Sequence, residues 1–399
     1  MFIRHLLPIP GKLDYSSRDG ECSHRELKGK KLQVRLYKNS DVGAWDDYVR
    51  SHARATLFHL SGWKELVEKS FGHTAYYLIA VEEPASSNQK PETRNQKPPS
   101  SIQKPASSND SLVGVFPLFA IKSPLFGSSM VSLPFATYGG VLADDEEVEN
   151  ALYERAMKLT RAKAFDYLEI RSEENRLGDL LVKDLYYGFK KKISSDNEEN
   201  LKAIPRKTRR MVRRGMGHGL RAAFGGKELL DQFYEVFAYS YHNFGTPVFS
   251  KQYLKNILER FKNDTSVLII SKDGKPLSAV LSFYFKDQVI PYYSGAYPDS
   301  HKYAANDYLY WVLISDAADR GYKIFDFGRS KKDTGPYHFK RHWGFEPRPL
   351  PYQYYLNNVK ELPNISPANP RYKRRIELWK KLPLWATKMI GPQIVKYIP

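Results

Sequence analysis

The spacing of apolar residues divides the chain into two successive halves that predict similar elements. The first half predicts helices at 58–71 and 146–163 and strands at 75–82, 111–121 and 166–171. A turn-rich stretch, Tyr138-Gly139-Gly140, precedes the second of these helices. The pattern therefore predicts helices packed against a sheet.

The second half predicts the same kinds of element with clearer boundaries. Its pattern indicates helices at 227–244, 251–261 and 307–320, and strands at 267–271, 276–285, 289–293, 322–327 and 352–356. Asp273-Gly274 is a strong signal for a hairpin turn. Asn306 suits the N-cap of the third helix, and Gly321 suits its C-terminal end.

Two motifs recur in the halves at nearly the same offset. FDYLEIRS at 165–172 is similar to KIFDFGRS at 323–330, and YGGVLADD at 138–145 is similar to YSGAYPDS at 293–300. The paired match favours an internal repeat over two unrelated α/β domains. The order β-β-β-α-β-α-β of the second half resembles the GNAT (acetyltransferase-like) fold. We expect an α/β (α+β) fold with two tandem GNAT-like domains, each a mixed, mostly antiparallel sheet flanked by helices.

Changes in composition along the chain help to place the predicted boundaries between loops, domains and tail. Residues 83–110 lack aromatics and are rich in Pro, Ser, Asn, Gln and Lys, so we expect a disordered loop between two strands. The predicted segments are an N-terminal extension at 1–30, a first domain at 31–195, a basic connecting helix at 196–222, a second domain at 223–360 and a basic, aromatic tail at 361–399.

The net charge of +18 is concentrated in three segments. Residues 201–221 hold eight Lys or Arg and no acid, 329–348 hold six against two acids, and 371–399 hold eight against one. Concentrated positive charge attracts nucleic acid, anionic lipid or phosphorylated substrates. The single cysteine, Cys22, excludes an internal disulfide framework and a cysteine-based zinc site.

The segment at 326–345, DFGRSKKDTGPYHFKRHWGF, carries the strongest chemical signal. A short apolar strand leads into a polar loop and then a short helix, in which Pro336 suits the first position and Gly344 the residue past the end. A loop at the end of a strand is held in place yet exposed, so functional groups concentrate there.

The side chains of this segment suggest that it stabilises a negative charge that develops during a reaction. Arg329 and Lys331 can hold a phosphate or carboxylate, and a desolvated Lys340 can stabilise an oxyanion. A solvated basic loop anchored by Phe339 and Trp343, an i,i+4 pair, remains the structural alternative. His338 and His342 are also spaced i,i+4, but no further ligand completes a metal motif, so no metal is predicted.

The loop that binds the pyrophosphate of acyl-CoA in ordinary GNAT enzymes has a poor counterpart here. A glycine-rich loop lets backbone N–H groups approach the phosphates at a helix N-terminus. The corresponding loop, GAYPDSHKYAA at 295–305, has one glycine and an acid, Asp299. The first-half counterpart, GGVLADDEE, is more acidic. Acyl-CoA is therefore disfavoured as the donor.

Two basic segments predict contacts with polyanions. The acid-free stretch at 201–219 places Arg206, Lys207, Arg209 and Arg210 as candidates, against the alternative of a solvated connecting helix. The tail at 371–399 interleaves basic residues with Trp379, Trp385 and aliphatic side chains. That mixture suggests an interfacial membrane segment, and a tail packed on the body is the open alternative.

Four strings resemble the FemAB-like (FemABX) transferases with tandem GNAT-like (BioF2-like acetyltransferase) domains, particularly the branch found with exosortase and exopolysaccharide gene clusters. They are IPRKTRRMVRRG at 204–215, DFGRS at 326–330, the Phe339-Lys340-x-x-Trp343-Gly344 string and LWKKLPLWATKMIGP at 378–392. The resemblance covers the chain from about Leu57 onward.

The resemblance implies an N-acyltransferase that takes an aminoacyl group from aminoacyl-tRNA and forms an amide on the side-chain amine of a cell-wall peptide. It places the family's lysine at Lys340, where the ammonium would stabilise negative charge on the transferred carbonyl. The chain departs from the staphylococcal members because it lacks their inserted coiled-coil arm and has Trp343 where many have Phe. The use of tRNA and the identity of the acceptor therefore stay open.

We expect a cytoplasmic acyltransferase, peripheral on the inner face of the membrane, that acylates an amine of a cell-envelope or exopolysaccharide precursor such as peptidoglycan. No secretory signal or spanning apolar run is recognisable. The donor is aminoacyl-tRNA or another activated acyl group, and no cofactor is expected. Alternatives are an acyl-CoA-dependent GNAT N-acetyltransferase, or a non-catalytic scaffold at the membrane or on nucleic acid.

The predicted site residues fall into two groups. The predicted catalytic residues are Lys340, Arg329 and Tyr337. The predicted substrate-binding residues are Arg206, Lys207, Arg209, Arg210, Lys331, Tyr138, Tyr293, Phe339 and Trp343.

Overall fold

A computed structural model describes residues 22–27, 30–83, 111–124, 126–178, 180–362 and 370–398 of the chain. Two of the segments predicted from the sequence lie mainly outside these described residues. The N-terminal extension at 1–30 lies largely outside the described residues, and of the loop at 83–110 only Glu83 is described.

The first half alternates short strands with three helices on the described residues. Its elements are β1 (Cys22–Leu27), β2 (Lys30–Leu36), α1 (Val42–Ser51), α2 (Ser61–Phe71), β3 (Thr74–Ala75), β4 (Leu78–Glu83), β5 (Ser111–Phe116), β6 (Phe119–Ser123), β7 (Gly127–Val131), β8 (Leu142–Ala143), α3 (Glu146–Ala162), β9 (Tyr167–Ile170) and β10 (Leu181–Lys192).

The second half begins with helices and ends with two more. Its elements are α4 (Asn197–Ala203), α5 (Arg206–Met216), β11 (Arg221–Gly225), α6 (Leu230–Phe244), α7 (Lys251–Arg260), β12 (Thr265–Lys272), β13 (Lys275–Phe285), β14 (Gln288–Ala296), α8 (Ser300–Tyr303), α9 (Ala305–Asp319), β15 (Ile324–Lys331), α10 (Gly335–His342), β16 (Arg348–Leu356), α11 (Pro370–Lys381) and α12 (Leu384–Val395).

The fold is mixed α/β, with mostly antiparallel sheets flanked by helices, as predicted. One sheet has the order β1-β2-β4-β5-β8, and the other has the order β11-β12-β13-β14-β15-β10-β16-β9-β7-β6-β3. The hairpin predicted at Asp273-Gly274 joins β12 to β13, and both residues have the positive φ that such a turn requires. Strands β4 and β5 pair antiparallel, so the chain at 84–110 connects neighbouring strands.

Among the local predictions, the bounds of one first-half strand and the N-cap of one helix are wrong. The strand predicted at 111–121 is two strands in different sheets, β5 and β6, because Pro117 lacks the N–H that would continue a ladder. Asn306 is not the N-cap of α9. That position belongs to Ala304, which has a φ of 52°, and Asn306 lies in the first turn of the helix.

The two halves exchange their last strands, and this exchange joins them in one sheet. Strand β10, which closes the first half, pairs with β15 of the second, and β16 pairs with β9 of the first. The exchanged strands also pair with each other. Each half keeps one parallel pair, β7 with β9 and β14 with β15. The repeated strings at 165–172 and 323–330 fall on β9 and β15. The exchange brings the ends of β9 and β15 close to the same central strands.

The large sheet separates two hydrophobic cores, as the alternation along β12 shows. Val267 and Ile269 belong to a core with α1, α2, α6 and α7, whereas Leu268 and Ile270 belong to a core with α5, α9 and α10. The first core contains residues from both halves, and the rings of Phe58 and Phe283 lie 5.6 Å apart within it. Burial of this shared apolar surface fixes the halves relative to each other.

Candidate functional site

A β-bulge in β15 creates the site. The strand was predicted to end at 327, but it continues through Arg329 to Lys331, so these residues lie on a strand and not on a polar loop. Gly328 has a φ of 66°, and the pairing of β15 with β10 shifts register there. The Gly328 N–H donates to Asp326 Oδ1 over 2.7 Å, which stabilises the bulge. Bulges of this kind redirect side chains and backbone carbonyls beside functional sites.

Lys340 of α10 is buried against this bulge. Its Nζ donates to the carbonyl oxygens of Arg329 at 3.0 Å and Gly328 at 3.4 Å, and the side chain is 9% exposed. An ammonium has three N–H donors, so these two bonds leave one for a further acceptor. Burial lowers the pKa of Lys340 to about 7, with Arg329 acting in the same direction and Asp326 opposing it. Both protonation states are therefore accessible near neutral pH.

Asp326 is fully buried at the centre of a chain of alternating charges. Tyr138 donates to Asp326 Oδ1 over 3.3 Å, and Lys190 Nζ lies 3.7 Å from Oδ2. Lys190 also donates to Glu173 Oε1 over 2.6 Å. Burial raises the pKa of Asp326, and the Lys190 charge opposes this rise. Because Tyr138 and Glu173 come from the first half, the network requires both halves.

The arginines of the repeated motif meet at one tyrosine. Arg329 Nη1 donates to the Tyr352 hydroxyl over 2.9 Å, and the guanidinium carbon of Arg171 lies 5.8 Å from the centre of the same ring. Arg329 also lies over the ring of Tyr186 at 4.4 Å. The Tyr352 hydroxyl donates to the carbonyl of Thr137 over 2.5 Å. The exchanged strands β10 and β16 thus hold Arg329 at the junction of the halves.

Lys331 adds positive charge beside Arg329. Burial, together with the neighbouring charges of Arg329 and Lys183, lowers its pKa to about 8. Arg329, Lys331 and Lys340 therefore concentrate cationic groups along one strand and the helix that follows it. Mutual repulsion makes these groups a favourable site for an anion or for a developing oxyanion.

The predicted aromatic residues pack in the two cores. Tyr337 contacts the rings of Tyr187 and Phe189, at 5.7 and 5.4 Å. Phe339 and Trp343 lie 6.3 Å apart in the core that contains α9 and α10. These contacts fix α10 and thereby Lys340.

Tyr293 lies in the other core. Its hydroxyl is 2.9 Å from that of Tyr253, so the structure places Tyr293 apart from Lys340 and the residues around Lys340. Its counterpart in the repeated motif, Tyr138, joins that group through Asp326.

The basic helix α5 lies next to α10. Thr208 donates from Oγ1 to the carbonyl of His342 over 2.7 Å, and Pro205 packs against Gly344. Among the described residues, no acidic side chain forms an ion pair with the exposed Arg206, Lys207 or Arg210. A positive, solvent-facing surface therefore begins beside the helix that carries Lys340.

Two other cationic side chains of α5 donate hydrogen bonds to backbone carbonyls of neighbouring elements. Arg209 Nη1 donates to the carbonyl of Lys202 over 2.8 Å, and Arg214 Nη2 donates to that of Lys302 over 3.0 Å. These bonds tie α5 to α4 and to the turn before α9.

Helix α5 also covers the start of α9, where a GNAT enzyme would hold the pyrophosphate of acyl-CoA. A Cβ placed on Gly215 would lie 2.7 Å from Tyr308 Cβ and 3.1 Å from the carbonyl oxygen of Ala304. Gly295, the single glycine of this loop, packs on the backbone of Val236 and Phe237. The glycines here serve close helix packing, and the start of α9 is occupied by protein.

The equivalent place in the first half is acidic. A cavity of about 420 Å³ lies at the start of α3, with Asp144, Asp145, Glu146 and Glu149 among its lining residues. Asp145 caps the helix by accepting from the Val148 N–H over 2.9 Å. Four carboxylates against two arginines, Arg54 and Arg176, leave this lining negative overall, which disfavours a pyrophosphate.

Metal binding has no support among the described residues. His338 and His342 are both exposed on α10, and the described ranges contain no group of three or more His, Cys, Asp or Glu side chains placed to hold a metal ion.

Several residues of the network were not among the predicted site residues. They are Lys190, Glu173, Tyr186, Tyr352, Thr137, Arg171 and Asp326. In the two repeated strings Arg171 occupies the position equivalent to Arg329, so the sequence did contain a signal for Arg171. The contacts of Tyr352 and Lys190 depend on strand exchange, for which the apolar pattern holds no signal.

The lowered pKa of Lys340 predicts a specific dependence of stability on pH. In the folded chain the ammonium loses its proton near pH 7, whereas an unfolded lysine keeps it to about pH 10. Between these values the unfolded state binds more protons, so stability rises with pH, by up to about 1.4 kcal/mol per unit. We expect Lys340→Met to lack this rise and to be more stable than the wild type at low pH.

Urea unfolding of both proteins at about pH 6, 8 and 10 measures the effect. The stability advantage of Lys340→Met should shrink as the pH rises. A gap that stays constant would show that Lys340 keeps its ordinary pKa.

Comparisons with known proteins agree with this fold. Residues 200–341 match the family described as acetyltransferase (GNAT) domain. The crystal structure of FemX is similar with a TM-score of 0.60 and 15% identity, over 82% of this chain and 97% of FemX. A conserved protein of unknown function from Bacteroides thetaiotaomicron has a TM-score of 0.50 and 10% identity, over 81% of this chain and 99% of its own. No curated protein matches the chain.

A tandem GNAT protein from the clavulanic acid biosynthesis pathway is also similar. Its TM-score is 0.49 at 10% identity, over 83% of this chain and 100% of its own. The family match and the likeness to FemX show that the chain has a GNAT-type fold.

Proposed function

We propose that the protein is an N-acyltransferase of the aminoacyl type that forms an amide on an amine of a cell-envelope or exopolysaccharide precursor, with a donor other than acyl-CoA. The observation that carries the proposal is the buried Lys340 ammonium, held by two carbonyls of the β15 bulge at the junction of the halves. A buried cation with a free N–H suits a reaction in which a carbonyl oxygen becomes negative.

In the proposed reaction, the acceptor amine attacks the activated carbonyl carbon and a C–N bond forms. The carbonyl oxygen becomes an oxyanion that accepts a hydrogen bond from Lys340. When the intermediate collapses, the bond to the leaving oxygen breaks, the nitrogen loses a proton and the leaving oxygen gains one. Arg329 positions the substrate, Tyr337 holds α10 and thereby Lys340 through its ring contacts, and the adjacent cation Lys331 favours an anionic part of the substrate.

The donor is inferred from charge and from packing. Arg206, Lys207 and Arg210 present positive charge beside α10, and this favours a polyanionic carrier such as aminoacyl-tRNA. The contact of α5 with the start of α9 and the acidic cavity at α3 disfavour a pyrophosphate at the two loops where acyl-CoA would bind. The sequence resemblance to FemAB-like transferases supports the same choice, and the likeness to FemX supports the shared fold.

The proposal places the protein in the cytoplasm, at the inner face of the membrane, where envelope precursors are assembled. Mass spectrometry of envelope material from cells with and without the protein tests the function. We expect an amide-linked aminoacyl or acyl group to be missing when the protein is absent. Identical envelope material in both strains would count against an envelope acceptor.

An acyl-CoA-dependent N-acetyltransferase is the second candidate, because residues 200–341 match an acetyltransferase (GNAT) domain. Calorimetric titration with acetyl-CoA separates the two. Saturable binding that a substitution in the 295–305 loop abolishes would favour acetyl-CoA as the donor.

A further inference from the structure

The C-terminal helices carry a concentration of exposed apolar side chains. Trp385 is 66% exposed and Met389 is 69% exposed, with Ile390 beside them on α12. Leu378 of α11 and Phe244, at the end of α6, are also more than half exposed. These five are the majority of the nine large hydrophobic side chains exposed among the described residues. Exposed apolar clusters of this kind usually mark an interaction surface.

Helix α12 is firmly docked by its opposite face. Thr387 Oγ1 lies 3.3 Å from His242 Nδ1, and a Cβ on Gly391 would lie 2.7 Å from the backbone nitrogen of Val248. The carbonyl of Lys396 lies 2.7 Å from His73 Nε2 in the first half. Trp385 and Met389, spaced i,i+4, therefore project side by side from a fixed helix and not from a frayed end.

Helix α11 places positive charge next to this apolar surface. Ile376 and Lys380 pack against Gly245, directly after the exposed Phe244. The exposed cations of α11 are Lys373, Arg374, Arg375, Lys380 and Lys381, against one acid, Glu377. Within the described part of the chain, none of these cations forms an ion pair.

We propose that this surface, formed by α11, the exposed face of α12 and Phe244, docks on the headgroup region of a bilayer that contains anionic phospholipid. The apolar side chains would enter the boundary between headgroups and acyl chains, and the cations would meet the lipid phosphates. A nucleic acid would use the charge and leave Trp385 and Met389 without a function. None of the described helices is long and apolar enough to cross a membrane.

The surface is separate from the candidate site. Helix α6, on which α11 and α12 pack, covers the face of the large sheet opposite to α5, α9 and α10. The inference deepens the membrane location in the proposed function. It rests on geometry and charge alone and is measured without any activity, so either claim can fail while the other holds.

Sedimentation of the full chain with vesicles tests the inference. We expect binding to phosphatidylcholine vesicles that contain phosphatidylglycerol, little binding to phosphatidylcholine alone, and release at high salt. The affinity of the double variant Trp385→Ser/Met389→Ser for these vesicles should fall by at least about tenfold. Lys380→Gln/Lys381→Gln should bind more weakly and respond less to salt.

The matched control removes two exposed apolar side chains elsewhere. Leu181→Ser/Phe224→Ser changes residues of β10 and β11 that are 48% and 40% exposed, and it should bind like the wild type. Equal binding by the Trp385→Ser/Met389→Ser variant, or no binding by the wild type, would overturn the inference. Self-association of the wild type that this variant abolishes, without vesicle binding, would instead assign the face to a second copy of the chain.

Discussion

Replacing Lys340 with methionine is expected to lower formation of the amide product by roughly 10²- to 10³-fold. Methionine keeps most of the side-chain volume but removes the ammonium, and with it the hydrogen bond that would stabilise the oxyanion. Because Lys340 is buried, the loss of its charge should not destabilise the fold. Product formed by cells that carry the variant in place of the wild type, measured by mass spectrometry, gives the effect.

Arg341→Met is the matched control for this experiment. It removes one positive charge from the same helix, but Arg341 is exposed and lies one residue from the buried Lys340. We expect nearly normal product formation in this control. Turnover by Lys340→Met within a factor of about two of the wild type would remove Lys340 from the mechanism.

Replacing Arg206, Lys207 and Arg210 together with glutamine is expected to weaken binding of tRNA by about 100-fold at physiological salt. The three side chains are exposed and without ion pairs among the described residues, so they can release bound counterions from a polyanion. The slope of log affinity against log salt should fall by roughly 2 units. Filter binding of a mixed aminoacyl-tRNA pool at several salt concentrations measures both quantities.

The control for this variant removes the same charge elsewhere. Lys163, Lys262 and Lys275 are exposed and lie outside α5, so their joint replacement with glutamine should leave affinity nearly unchanged. If both triple variants weaken binding equally, the interaction reflects net charge and α5 is not a specific surface. If neither does, the proposed tRNA donor loses its support.

The sequence pattern predicted most of the second half because its signals are local. The turn at Asp273-Gly274, the short helix after Pro336 and the strand order of the GNAT-type fold depend on neighbouring residues and on apolar spacing. The repeated motif also pointed to equivalent strands, and β9 and β15 are each the parallel partner of another strand in their own half.

The centre of the site could not be predicted, because it depends on contacts between distant parts of the chain. Strand β10 mixes polar and apolar residues with weak alternation, so nothing local revealed that it lies between β15 and β16. The bulge at Gly328 was hidden for the same reason, since a bulge is defined by its partner strand. Lys340 was identified from its motif, but its burial and its carbonyl partners appear only in the folded chain.

A transfer assay with purified protein, an extract of envelope precursors and two labelled donors, aminoacyl-tRNA and acetyl-CoA, tests the proposed reaction most directly. We expect label from aminoacyl-tRNA to enter an amide that survives mild base, Lys340→Met to lower this transfer by roughly 10²- to 10³-fold, and acetyl-CoA to give none. Transfer from acetyl-CoA alone, or transfer from aminoacyl-tRNA that is unchanged in Lys340→Met, would contradict the proposed reaction.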